Sequence, residues 1–261
     1  ALVYDSGPGD GQTRSMVDAT IVPALLAEGI AELGLLVVSH ADLDHAGGAG
    51  RLRQRYPGAA AWMQSREPRP GWQACDAQRR APPGWSLQVL HPSPGLPYLG
   101  NDSSCVLSVT GKGGAVLLPG DIGRAAELRL VSEGLGAHGI VVVPHHGSRS
   151  SSTAAFVQAN DARLALSAAG AGNRFGFPHQ EAVMRWQDAG ATHWSTSGCG
   201  GLRVDLAADG TISAVSARRV RTAPWRWPAE PGCPAPGTLL AGPEHANGAS
   251  GMIPHRLRSM E

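Results

Sequence analysis

Lysine is almost missing from this chain of 261 residues: Lys112 is the sole one, and arginine supplies the remaining positive charge. With 22 basic against 21 acidic residues the formal net charge is +1, so no global field draws the chain toward nucleic acid or an anionic membrane surface. The arginine bias, beside abundant Ala, Gly and Pro, fits genome base composition better than phosphate binding. Charged residues make up only 16% of the chain, so a local crowd of them needs a reason. No apolar run approaches the ~20 residues needed to span a bilayer, and no signal-peptide pattern is visible. Cys75, Cys105, Cys199 and Cys233 are scattered without a C-x-x-C pair. That pattern suggests neither a zinc ribbon nor a dithiol redox site, and leaves disulfide pairing open.

What is present describes a folded domain. The apolar fraction is 42% and there are 35 glycines, as in a globular chain with many tight turns. The length suits one large α/β domain with a sizeable core. The chain opens on Ala1, and ALVYDSG reads as the second half of a hairpin, so a domain cut from something longer is expected.

Strands are expected at 1–4, 35–39, 59–63, 85–90, 140–143, 164–167 and 193–196, with hairpins at 106–118 and 202–215. Gly111-Lys112-Gly113-Gly114 and Asp209-Gly210 supply the hairpin turns. Helices are expected at 15–28, 49–55, 124–133, 153–160 and 180–189, with Pro23 kinking the first or marking its true start. Residues 66–84 read as a long surface loop. This alternation indicates helices covering two sheets. Residues 1–216 form the expected domain, 217–227 a basic, tryptophan-bearing exit segment, and 228–261 a Pro/Gly/Ala-rich tail without periodicity, expected to be disordered.

The chemistry gathers at strand ends. LLVVSHADLDHAGG, residues 35–48, runs from an apolar strand into His40, Asp42, Asp44 and His45. On an extended backbone the i, i+2, i+4 spacing aims the first three one way, and Gly47-Gly48 lets the chain turn so that His45 joins them. A plain polar loop with a helix-capping acid explains one such group, not four. LLPGDIG delivers Asp121 at a second strand end, and IVVVPHHGSRSSS delivers His145 and His146 at a third. NRFGFPHQE places His179 just before a helix, where it also fits a simple capping or solvated role. Strand ends of an α/β sheet often share one edge, so these groups have a route to one crevice. Imidazole plus carboxylate is a ligand set for Zn²⁺, Mn²⁺ or Fe, and bound cations offset the crowding of acids.

HADLDH resembles the H-x-H/D-x-D-H signature of the metallo-β-lactamase superfamily, with Asp5 of YDSG and Asp121 of PGD at its other acidic positions. The order HADLDH, NDSS (101–104), LLPGD, VPHHGS, NRFGFPH is similar, more specifically, to the ComEC family of DNA-uptake proteins, over residues 1–216. The resemblance implies an αββα four-layer sandwich with a dinuclear site. The family's opening strand, with its VGQG-like motif, has no counterpart here and is expected upstream or missing. By that resemblance His40 and Asp42 hold one metal, Asp44 and His45 the other, Asp121 bridges, and His145 completes the second. Asp42 stands where many members have histidine. This hard oxygen donor makes Mn²⁺ as plausible as Zn²⁺ and argues against antibiotic hydrolysis. Phe177 stands where the ComEC pattern usually has histidine.

The implied activity is a metal-dependent DNA nuclease that degrades the non-transported strand in natural transformation. Two metals suit phosphodiester hydrolysis, because they activate water and stabilise both the attacking and leaving oxygens. His146 or His179 would protonate the leaving oxygen. Asn101 and Ser148 would contact substrate, Ser148 together with backbone N–H groups around Gly147. Single-stranded DNA is the implied substrate. The membrane-channel portion of a ComEC-like parent is the implied partner, with the parent in the cell membrane and the side of this domain open. Arginines and tryptophans interleave in RRVRTAPWRW (218–227), as on base-stacking surfaces, or simply as a segment packed on the domain. The competing readings are another hydrolase of the same fold, acting on a small ester or phosphodiester, and a degenerate, non-catalytic domain that guides DNA.

Overall fold

Leu35–Val38 is buried at every position, and its side chains alternate between two cores. Leu36 and Val38 enter one cluster, while Leu35 and Val37 enter another, as the period-two geometry of a strand dictates. In the computed structural model, which describes residues 1–9, 15–75, 85–220 and 228–240, this strand is the middle of a parallel sheet. The sheet runs β1 (Leu2–Tyr4), β2 (Leu35–Val38), β3 (Ala60–Met63). A π-helical turn (Val17–Ile21) leads into α1 (Val22–Ala27), followed along the chain by α2 (Leu43–Ala46) and α3 (Ala49–Arg55). Val17, Leu52 and Tyr56 pack under the sheet against Leu36, Val38 and Met63. Pro23 sits in the first turn of α1, where its missing N–H costs nothing, so it marks the start of regular helix.

A mixed six-stranded sheet lies beyond: β4 (Ser86–His91), β5 (Val106–Gly111), β6 (Gly114–Leu118), β7 (Ile140–Val142), β8 (Leu164–Ser167) and β9 (Thr192–Ser195). β4, β5 and β6 pair antiparallel, and β6 through β9 pair parallel. The row Leu117, Val141, Ala165 packs against α4 (Arg124–Ser132), α5 (Ala154–Asn160) and α6 (Gln180–Asp188) through Leu130, Phe156 and Trp186. The opposite face divides its cover. Leu107 meets Val37 and Trp62 of the first sheet, while Ile140 and Leu164 meet Ile212 and Ala214. Those last two belong to a third sheet of β10 (Leu202–Leu206), β11 (Ile212–Ser216) and β12 (Thr238–Leu240), reached from β9 through α7 (Thr196–Cys199). The layers are helix, sheet, sheet, helix: the expected αββα sandwich.

The first strand pairs parallel with β2, Tyr4 opposite Val37. One expectation changes. Residues 228–240 are not structureless. Thr238–Leu240 pairs with β11, and a disulfide joins Cys233 to Cys199 at a Cα separation of 5.4 Å. The composition hid this, because one covalent tie and three ladder residues order a segment that has no periodicity of its own. A second disulfide, Cys75–Cys105, lies in the core between the first two sheets. The expected exit segment is helical at Ala217–Val220, while its residues 221–227 and the tail from 241 lie outside the described residues. No helix among the described residues is long and apolar enough to cross a membrane.

Candidate metal centre

The carboxyl ends of β1, β2, β6, β7 and β8 all open at one edge, and each delivers a polar group there. Asp5 follows β1, Ser39 and His40 follow β2, Gly120-Asp121 follows β6, His145-His146 follows β7, and the Ala168 carbonyl follows β8. Backbone bonds tie these ends together: Cys105 N–H donates to the Ser39 carbonyl (2.8 Å), and His145 N–H donates to that of Gly120 (3.0 Å). Gly120 adopts φ +61°, and a Cβ there would stand 2.8 Å from the Cβ atoms of both Ser39 and Ser104. Only glycine lets the Asp121 loop approach so closely.

The HADLDH stretch does not stay extended. β2 ends at Val38, and Asp42 precedes the short helix α2, which carries Asp44 and His45. The helical turn, not strand alternation, brings His45 back under Asp121. The ligand-type atoms of Asp44, His45, Asp121 and His146 all lie within 4.8 Å of one another. His45 Nε2 stands 3.2 Å from Asp121 Oδ2, and His146 Nε2 stands 3.5 Å from the same oxygen and 3.4 Å from Asp44 Oδ2. His40 Nε2 faces Asp42 Oδ2 at 3.5 Å on one flank of this group.

The second nitrogen of each ring is committed elsewhere. His45 Nδ1 lies 2.8 Å from Asp5 Oδ2, and His146 Nδ1 lies 2.7 Å from the Ala168 carbonyl, an arrangement satisfied by N–H donors. His40 Nδ1 meets Ser39 Oγ at 3.1 Å, and that hydroxyl donates to Asp5 at 3.0 Å. A proton on Nδ1 suits all three contacts and would leave each inward-turned Nε2 as the ligand atom. The Nε2 atoms of His40, His45 and His146 are buried and have no hydrogen-bond partner. Orphaned buried ring nitrogens facing carboxylates are the arrangement that a divalent cation satisfies.

The electrostatics agree. Burial works to lower the pKa of His45, but the facing Asp121 and Asp5 carboxylates outweigh this and push it up to about 11. Burial likewise opposes ionisation of Asp121, and the surrounding His45, His146 and His145 rings hold its carboxyl below the usual range nonetheless. His146, by its bond to Asp44, holds that carboxyl well below its ordinary value. The cluster calls for positive charge.

The two adjacent histidines stand differently toward the acids. Both adopt left-handed φ, 50° for His145 and 55° for His146, so the alternation of a strand does not govern where they point. His146 joins Asp44, His45 and Asp121; His145 stands at the rim, Nε2 3.8 Å from Asp121 Oδ2 and 3.5 Å from Asn101 Nδ2. Asn101 thus reaches the centre. Ser148 is differently engaged: its backbone N–H donates to the His145 carbonyl (2.9 Å) and its hydroxyl pairs with Ser150 (3.0 Å), so the expected backbone nest is already filled at that position. His179 touches the edge of the Phe177 ring (centroids 5.4 Å apart), with Phe177 in turn stacked on His146. Ser39 and Ser104 are supporting residues that the ligand pattern did not single out. Asp5 stands at an acidic position of the family signature, and its contact with His45 is what the structure adds.

A buried acid holds the histidine loop from behind. Glu127 of α4 is fully buried and accepts the N–H groups of Ser152 and Thr153. Burial raises its pKa, and those two N–H donors pull the other way.

Comparison with known proteins matches residues 1–168 to the metallo-beta-lactamase superfamily. The chain is 31% identical over 236 residues to "Competence protein ComA" of Neisseria gonorrhoeae, covering 88% of this chain and 32% of that protein. It is 30% identical over 227 residues to "Recombination protein 2" of Haemophilus influenzae, covering 86% and 28%. With "ComE operon protein 3" of Bacillus subtilis it shares 28% identity over 207 residues, covering 71% and 26%. The chain thus spans about a third or less of the length of these relatives.

Proposed function

Because the chain belongs to the metallo-beta-lactamase superfamily, we propose that it is the metal-dependent phosphodiesterase of a DNA-uptake system, acting on the DNA strand that is not imported. The observation that carries this reading is the set of three buried, partnerless Nε2 atoms on His40, His45 and His146, facing Asp42, Asp44 and Asp121. Asp44, His45, Asp121 and His146 would hold one ion, and His40 with Asp42 would hold a second beside the shared Asp121. Bound divalent ions, Zn²⁺ or Mn²⁺, supply activated water at neutral pH and positive charge for a phosphate.

The chain's own residues do the rest. Asp5 and the Ala168 carbonyl fix the rings of His45 and His146, and Ser39 fixes that of His40. With His146 Nδ1 held by Ala168 and its Nε2 assigned to the ion, His145 and His179 are the imidazoles left to meet the leaving oxygen, with Asn101 beside His145 to position the phosphate. His179 contacts Phe177 and shapes the rim. The name "Competence protein ComA" supports a role in transformation, which the chain would serve as one part of a longer membrane-channel parent.

The test is digestion of linear single-stranded DNA with added Mn²⁺ or Zn²⁺, beside a panel of small esters and Asp44→Ala. Metal-dependent cleavage of DNA that Asp44→Ala abolishes supports the reading. Turnover of an ester with DNA left intact overturns it in favour of another hydrolase on this fold, and absence of any turnover favours a non-catalytic domain.

A further inference from the structure

A ladder of flat groups climbs out of the metal centre, and nothing in the hydrolytic chemistry requires it. The Phe177 ring stacks on His146, with centroids 6.0 Å apart and planes at 29°. Phe175 stacks on Phe177, at 5.4 Å and 19°. The Arg174 guanidinium sits 4.7 Å from the Phe175 ring centroid. Phe175 is 56% exposed, a large apolar ring held in water beside a polar crevice. Arg174 has no carboxylate partner among the described residues.

The ladder stands on a braced loop. Asn173 accepts the Phe177 N–H (2.9 Å) and donates to the Phe177 carbonyl (2.7 Å), so one side chain clamps the tip of the loop. The loop is pinned at both ends to the histidine segment: His146 Nδ1–H donates to the Ala168 carbonyl, and His179 N–H donates to that of Gly147 (2.9 Å). The backbone that carries Phe175 is thus tied down, which lowers the ordering cost of receiving a flat ligand.

We propose that the outer end of this ladder is a base-stacking step that receives an unpaired nucleobase next to the scissile phosphate: the Arg174 guanidinium, which covers the outer face of Phe175, swings to the adjoining backbone phosphate as the base takes its place on the ring. This rests on the phosphodiesterase reading and deepens it. A base stacks on an aromatic face whatever its identity, and arginine adds charge to the same surface. Bases in a duplex keep their faces covered by their neighbours, so the step selects single strands without reading sequence. Histidine at 177 would carry a smaller, more polar ring; phenylalanine there continues the apolar stack from His146 to Phe175.

The experiment compares binding of two fluorescent probes, a short oligothymidylate and the same sugar-phosphate backbone without bases, by the full chain without added divalent ion. Phe175→Ala should weaken oligothymidylate binding about 5- to 100-fold and leave the abasic probe unchanged, while Phe175→Trp restores it. Equal losses on both probes, or none, overturn the step. Cleavage assays keep the two readings apart: DNA cut normally by a protein with no preference for bases removes the step alone. A preference for bases in a protein that cuts no DNA retains the step and removes the nuclease.

Discussion

Asp5 Oδ2 stands 2.8 Å from His45 Nδ1, across 40 residues of sequence, and as acceptor of the Nδ1–H it fixes the ring with Nε2 toward Asp121. The same carboxylate accepts the Ser39 N–H at 2.7 Å, and Asp5 itself holds φ +62° to do so. Asp5→Asn keeps the shape but weakens the orienting bond. Metal affinity should fall about 10- to 100-fold with the fold retained, as read by competition against a chromophoric chelator.

Chelation should separate the neighbouring histidines. Removing divalent ions from the wild type should lower its unfolding free energy, by about 2.7 kcal/mol relative to protein with ion at a hundred times its dissociation constant. His146→Ala should lose most of this metal-dependent stabilisation, and His145→Ala should keep it while losing turnover. Thermal unfolding with and without chelator reads both; the opposite pattern would return His145 to the ligand set.

Gly120→Ala should cost about 2–4 kcal/mol, since φ +61° strains any side chain and the new Cβ meets Ser39 and Ser104 at 2.8 Å. Gly29→Ala is the control: it shares φ +69° but has open space, so it should cost only about 1 kcal/mol. Urea midpoints of the two variants separate crowding from backbone strain.

Burial pushes His193 down to about 4, and its Nε2 lies 2.8 Å from Ser167 Oγ, away from the metal centre. The fold favours the neutral ring, so this contribution is fully present above the unfolded value near 6.5 and is lost as pH falls toward the folded value. His193→Gln should remove that pH dependence. The stability gap between wild type and variant should narrow by about 2 kcal/mol from pH 7.5 to pH 5, measured by urea unfolding at each pH.

The strand ends of the site were legible because an apolar run stopping at His, Asp or paired His breaks the pattern abruptly. Orientation was not. Which of His145 and His146 lies nearer Asp44 and Asp121 was hidden because two consecutive left-handed residues suspend alternation, and residue type alone does not announce that conformation. Asp42 and Asp44 share the expected crevice, but a four-residue helix brings them there, too short to leave a periodic signature. The cysteines carried no sequence cue to partner: Cys199 finds Cys233 because β9 and the returning segment flank the same core.

β1 is a three-residue strand on the rim of its sheet, and Asp5 comes immediately after it. The Asp5 N–H donates to the Val37 carbonyl at 2.7 Å, and the Tyr4 hydroxyl reaches across to the Cys105 carbonyl at 2.6 Å. The register of β1 against β2 therefore decides where Asp5 meets His45: a slip by a single residue would turn that carboxylate to the other face of the sheet and leave the ring without its anchor.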